Sequence, residues 1–172
     1  MSALLQSKVR DVIDFPKKGI VFKDITPILQ DPKAFRQAVN ILTAHLKKKK
    51  VQYVVGIESR GFIFSPTISY LIKAGFVPVR KAGKLPFKTR KTAYSLEYGK
   101  AELEIHSDAL PKGARVAIVD DLLATGGTAA AAAKLVESLG SKVVSIAFLI
   151  ELAFLHGRKK LSKYDVFSAI QY

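Results

Sequence analysis

The chain has 172 residues, 49% of them hydrophobic, no cysteine, and 28 Lys+Arg against 14 Asp+Glu for a formal net charge of +14. Length and apolar content describe one globular domain with a sizeable core. The lack of cysteine excludes disulfides and thiolate chemistry, and no apolar run approaches the ~18 residues that span a bilayer. The first residues lack the basic–apolar–small order of a signal peptide, so a cytoplasmic protein with no membrane partner is expected. The excess positive charge admits nucleic acid, anionic membrane or small polyanionic substrates. Its clusters fall at 47–50, 80–91 and 158–163. The lysines at 47–50 read as the solvated end of a helix, where cations suit the dipole, rather than a nucleic-acid site.

In chain order, residues 3–13 carry a weak helical pattern through Leu4, Leu5, Val9, Val12 and Ile13. A turn at 14–19 follows, then a short extended segment at 20–22, with Ile25 as a core residue. Asp31-Pro32 marks a helix start, an N-cap followed by proline at the first position. Phe35, Ala38, Val39, Leu42 and Leu46 then define its apolar face. His45 sits at the edge of the core or in solvent. Residues 51–57 read as a strand ending at Glu58-Ser59-Arg60-Gly61, with a helix over 62–74 and Pro66 in its first turns. Residues 76–79 form a third strand, at an edge or distorted because of Pro78. Residues 87–101 have no sustained period and read as a flexible cover or a β-ribbon. Alternation over 101–106 gives a strand with one wet face.

The most informative stretch is 116–128. A β-branched run reads as a buried strand, delivers Asp120 and Asp121, and passes through three apolar residues into Thr125-Gly126-Gly127-Thr128 and an Ala-rich helix over 129–139. Free amides at a helix N-terminus, two hydroxyls and the dipole make an anion site. Carboxylates beside it suit vicinal hydroxyls, so the pair suggests a sugar phosphate. The stretch is neither a Walker A loop nor a dinucleotide fingerprint. Strands at 143–150 and 166–170 complete a mainly parallel α/β sheet flanked by helices, with ligands expected at the carboxyl ends of its strands.

The 120–128 loop resembles the phosphoribosyl pyrophosphate (PRPP) loop of type I phosphoribosyltransferases. Residues 14–16 and 19–27, 56–62, 80–86 and 94–99 then resemble, in order and over nearly the whole chain, the adenine phosphoribosyltransferases. That resemblance implies a single domain, with a small hood from about 1–30 and 151–172 and a flap over about 85–101. It implies conversion of adenine and PRPP to AMP and pyrophosphate in purine salvage, with Mg²⁺ as cofactor and a homodimer as the assembly. It places the ribose on Asp120 and Asp121, and the 5′-phosphate on Ala124, Thr125, Gly126, Gly127 and Thr128. It places pyrophosphate on Glu58, Ser59 and Arg60, in a loop that often carries a non-proline cis peptide. Arg80, Lys81 and Lys84 meet pyrophosphate too, partly across the dimer interface. Adenine falls to Val21, Phe22 and Lys23, with Leu122 and Leu152. Glu97 and Tyr98 lie in the catalytic flap, Glu97 managing a proton at the base or at the leaving group. Mg²⁺ is held mainly by substrate and water, with no direct protein ligand.

Two departures stand out. Residues 87–91 are bulkier and more basic than a glycine-containing flap, and Lys23 stands where arginine is common. The competing readings are another 6-oxopurine phosphoribosyltransferase, and a PRPP-sensing nucleic-acid-binding regulator on the same fold.

Overall fold

The computed structural model describes residues 2–96 and 99–172. The chain starts with a short helix α1 (Ala3–Ser7), then β1 (Arg10–Ile13) and β2 (Val21–Asp24), and next α2 (Thr26–Gln30) and α3 (Pro32–Lys47). It continues with β3 (Tyr53–Ile57), α4 (Gly61–Ile72), β4 (Gly75–Lys81), β5 (Thr89–Leu96), β6 (Gly99–His106) and β7 (Arg115–Leu123). After α5 (Gly127–Ser138) and β8 (Lys142–Glu151), 3₁₀ turns at Ala153–Leu155 and Gly157–Leu161 lead to β9 (Val166–Gln171).

Among the described residues, β1 and β2 form a separate antiparallel pair, while the main sheet has the order β5-β6-β4-β3-β7-β8-β9. From β4 to β9 the pairings are parallel; β6 runs antiparallel to β4, and β5 antiparallel to β6. The expected mainly parallel sheet is therefore present, extended by an antiparallel ribbon.

The core follows the two-residue period of the strands. In β7, Val116 and Ile118 face the layer holding α5, while Ala117 and Val119 face the layer of α3 and α4. Both faces are covered by helices, which is why the strand reads as a continuous apolar run. The helices obey their own period: Ala38, Val39, Leu42 and Leu46 of α3 are buried. Asp31 caps that helix, accepting from the amides of Lys33 and Ala34 at 2.9 and 3.1 Å. Phe64 and Phe148 are fully buried on opposite sides of the sheet, and burial of each is worth about 2–3 kcal/mol.

Four local expectations change. Residues 3–13 are not one helix: α1 stops at Ser7, and Arg10–Ile13 pair with Val21–Asp24. Tertiary pairing with a strand beyond the turn overrides a weak helical period there. β4 is an interior strand, yet Pro78 sits opposite Gly56 of β3, and β6 pairs with β4 only at Arg80 and Lys81. The missing proline N–H thus falls where no strand covers that side. Residues 89–106 are a β-ribbon, but the polar face of β6 is not wet throughout, since Glu104 is 1% exposed. Pro66 lies inside α4 rather than at its start. Beside it, the Ser65 hydroxyl donates to the Gly61 carbonyl at 2.7 Å.

His45 lies at the core edge, stacked on Phe167 at 4.3 Å and within hydrogen-bond distance of Ser145 and Asp165. Among the described residues no helix is long and apolar enough to cross a membrane.

Candidate active site

Strand overhang creates the site. β3 pairs with β7 only as far as Gly56↔Val119, whereas β8 follows β7 on to Leu123. Asp120 and Asp121 therefore lie beyond the end of β3, on a strand still held from its other side. The start of α4 fills the gap. Gly61 makes this approach possible, because a Cβ there would lie 2.9 Å from both Asp120 Oδ1 and the Val119 carbonyl oxygen. Arg60, just before it, pairs with Asp121 through Nε and Oδ2 at 2.8 Å.

The two acids are crowded. Burial first, and then the charge of Asp121, push the Asp120 carboxyl well above the usual range. Asp121 is raised by burial, with Arg60 offsetting part of the shift. Such a pair favours partners that donate hydrogen bonds or bring positive charge. After Leu123 the chain turns through residues 124–126 into α5, whose N-cap Gly126 has φ +79°. That left-handed geometry suits glycine and aims the first amides of α5 outward.

Glu58, Ser59, Arg60, Tyr94, the 120–129 segment and Phe148 line a polar cleft of about 330 Å³. The Glu58–Ser59 peptide is cis. Beside the cleft lies an apolar slot of about 260 Å³, walled by Pro16, Lys17, Ile20, Val21, Phe22, Lys23, Leu122, Ala124, Leu152 and Leu155. Leu122 and Ala124 belong to both. Every residue the resemblance places on adenine lines the slot, and every residue placed on ribose or 5′-phosphate lines the cleft.

The basic loop stands apart. Arg80, Lys81 and Lys84 do not line the cleft but converge on Glu58. Arg80 Nε and Nη2 donate to it at 3.2 and 3.0 Å, Lys84 Nζ at 2.8 Å and the Lys81 amide at 3.3 Å. Arg80 above all, with Lys84 adding to it against burial, lowers the Glu58 carboxyl to about 2. A carboxylate repels pyrophosphate, so Glu58 is suited to arraying these cations rather than to binding that anion itself.

Other contributors were not legible in the sequence. Glu104 accepts from the amides of Lys84 and Leu85 at 2.8 and 2.9 Å and from the Thr89 hydroxyl at 3.2 Å. It thereby ties the basic loop to the base of the ribbon. Burial alone would raise its carboxyl, but these donors outweigh burial and hold it low. In the sequence its alternation pointed to solvent. Arg60 also lies 5.0 Å from the centre of the Phe22 ring, so it links the acid pair to the wall of the slot. Lys23 pairs with Asp11 at 2.6 Å and lies 4.2 Å from the Tyr172 ring centre. Glu97 and Tyr98 lie outside the described residues.

Comparison with known proteins agrees with this geometry. A family model for the phosphoribosyl transferase domain matches residues 26–171. An adenine phosphoribosyltransferase of Christiangramia forsetii is 55% identical over 168 residues, covering 98% of each chain. The crystal structure of the adenine phosphoribosyltransferase from Thermoanaerobacter pseudethanolicus superimposes with a TM-score of 0.96 at 54% identity, covering 98% of both chains. The Saccharomyces cerevisiae enzyme, complexed with adenine and D-2,5-dideoxy-2,5-imino-altritol 1,6-bisphosphate, gives a TM-score of 0.92 at 44% identity over 96% of each chain. The match of the family model to most of the chain, relatives more than 50% identical along nearly its whole length, and a polar cleft beside an apolar slot on a mostly parallel sheet identify the chain as a member of the adenine phosphoribosyltransferase family of pentosyltransferases.

Proposed function

We propose that the chain transfers the 5-phosphoribosyl group of PRPP to N9 of adenine, releasing pyrophosphate, with the residue roles that follow. The observation that carries the reading is the junction of cleft and slot at Leu122 and Ala124. A ribose seated on Asp120 and Asp121 puts its C1 at that junction, with its 5′-phosphate on the 124–128 turn. A planar base in the slot lies between Phe22 on one side and Leu122 and Leu152 on the other. The backbone of Val21, Phe22 and Lys23 reads its edge. The yeast relative is complexed with adenine, which supports adenine as the base taken up.

The chemistry needs three things from these residues. Breaking the C1–pyrophosphate bond gives the sugar oxocarbenium character, and the acid pair supplies nearby negative charge. Pyrophosphate departs with concentrated charge, which Arg80, Lys81 and Lys84 offset while Ser59 and Arg60 guide it. Water must be kept from the sugar, which is the task of a flap over about 85–101 closing over the cleft. Glu97 takes or relays a proton, at the base or at the leaving group, and Tyr98 accompanies it.

Mg²⁺ suits this site, since Asp120 and Asp121 bring two carboxylates close together and a nearby cation relieves their mutual repulsion without needing a direct protein ligand. Bound with PRPP, it would neutralise part of the charge on the departing pyrophosphate. These acids would hold it through substrate hydroxyls and water. A homodimer completes the reading; Tyr70, Leu71 and Phe76 are exposed apolar side chains at the end of α4 and the start of β4. A cytoplasmic location goes with it.

The test is a panel of bases with PRPP and Mg²⁺, following pyrophosphate release. Adenine is expected to turn over, with guanine, hypoxanthine and xanthine far behind. A preference for an oxopurine, or no turnover with any base, overturns the reading. Nucleic-acid binding with steep salt dependence and no turnover would favour a regulator instead.

A further inference from the structure

The connection from β8 to β9 passes beneath the phosphate turn, and none of the roles above uses its Gly157 and Arg158. Gly157 is buried, and a Cβ there would run into the Ala124 carbonyl oxygen and come within 2.9 Å of Leu123 Cδ1. The relation is mutual: a Cβ on Gly126 would meet the Gly157 carbonyl oxygen and lie 3.4 Å from Gly157 Cα. Turn and connection thus touch backbone to backbone.

Arg158, the next residue, is locked in place. Its Nε and Nη2 each donate to Glu151 at 2.7 Å, and its Nη1 donates to the Val166 carbonyl at 2.8 Å. Glu151 is 4% exposed and also accepts from Ser168 Oγ at 2.7 Å and Gln171 Nε2 at 3.2 Å. Arg158 is therefore bolted to the carboxyl end of β8 and to the neighbouring strand β9. The slot-lining part of the connection has separate ties: Leu152 N–H to the Leu123 carbonyl at 2.9 Å, and Ala153 N–H to the Tyr172 carbonyl at 2.8 Å. Losing the Arg158 clamp falls on Gly157 more than on Leu152.

We propose that Gly157 and Arg158 are positioning residues for the phosphate turn: the Arg158–Glu151 clamp fixes Gly157 as a backbone shelf on which residues 124–126 take their anion-binding shape. The proposal rests on assigning 124–128 to the 5′-phosphate. Amide donors stabilise a phosphate only if they are already aimed at it, and displacements of about 1 Å are costly. Arg158 spends its charge on Glu151, so it acts through the shelf and not as a phosphate ligand.

The experiment compares wild type, Gly157→Ala, Arg158→Lys and, in the turn itself, Thr128→Val. The readouts are AMP affinity by calorimetry, the ³¹P resonance of bound AMP, and KM for adenine at saturating PRPP. Gly157→Ala and Arg158→Lys are expected to weaken AMP about tenfold and move the ³¹P resonance, with KM for adenine within about twofold of wild type. If Thr128→Val leaves AMP affinity unchanged, the phosphate assignment fails and the shelf with it. If Thr128→Val weakens AMP while the shelf variants keep wild-type affinity and resonance, the shelf alone is overturned. Equal losses for AMP and adenine in the shelf variants also overturn it, as general damage to the fold. Should Gly157→Ala not fold, Arg158→Lys carries the test, since it keeps the charge and most of the stem.

Discussion

Replacing Glu58 by Gln removes the charge on which Arg80 and Lys84 converge. In the folded chain the Glu58 carboxyl is held at about 2 against an ordinary 4.5, by the Arg80 hydrogen bond first, with Lys84 and the Lys81 amide adding to it against burial. A gap of that size corresponds to about 3 kcal/mol at most. Glu58 itself is 10% exposed, but Arg80 and Lys84 are 33% and 49% exposed. Solvent and salt therefore screen the cluster, and about 1–2 kcal/mol is expected. The folded-state pKa lies below the unfolded one, so this contribution is complete above pH 4.5 and is lost as the pH falls towards about 2. The assay is urea unfolding of wild type and Glu58→Gln from neutral to acid pH, at low and high salt. Glutamine does not titrate, so the difference between the two isolates Glu58. It should be about 1–2 kcal/mol at neutral pH, shrink on acidification and shrink with salt. A difference that stays constant or grows as the pH falls refutes the argument.

Asp121→Asn should weaken PRPP and AMP about tenfold or more, since the charged acceptor proposed for the ribose hydroxyls is lost, and leave KM for adenine near wild type. Unchanged AMP affinity in calorimetry would remove Asp121 from the ribose. Glu97→Gln should lower kcat by about a hundredfold while PRPP affinity holds, because the role proposed for it is proton transfer. A loss confined to PRPP binding would take Glu97 out of the chemistry.

The central segment of the candidate site was legible because it is local. The 116–128 stretch announces itself by a β-branched run, two acids and a glycine turn, all within a single strand–turn–helix unit. The slot residues at 21–23, by contrast, were legible only through resemblance, since a short extended segment carries no chemistry by itself. Where local signals were weak, pairing at a distance decided. Residues 10–13 became a strand because β2 lies opposite, and Pro78 was accommodated inside the sheet because the pairing of β4 with β6 begins only at Arg80.

What the sequence determined by itself is the class of fold and the acid pair with its glycine turn, since period, turn chemistry and motif spacing act within a few residues; the other candidate site residues came from the resemblance. Which charges meet was decided only by the tertiary structure. Glu58 finds Lys84 across 26 residues of chain, and Arg60 finds Asp121 only after β3 and β7 have paired. Glu104 looked solvent-facing and is buried because the amides of Lys84 and Leu85 fold over it. Gly157 approaches Ala124 backbone to backbone, a contact between residues remote in sequence that only the folded chain creates. Electrostatic and packing energies depend on distance in space, and distance in space between remote residues is fixed by the packed sheet.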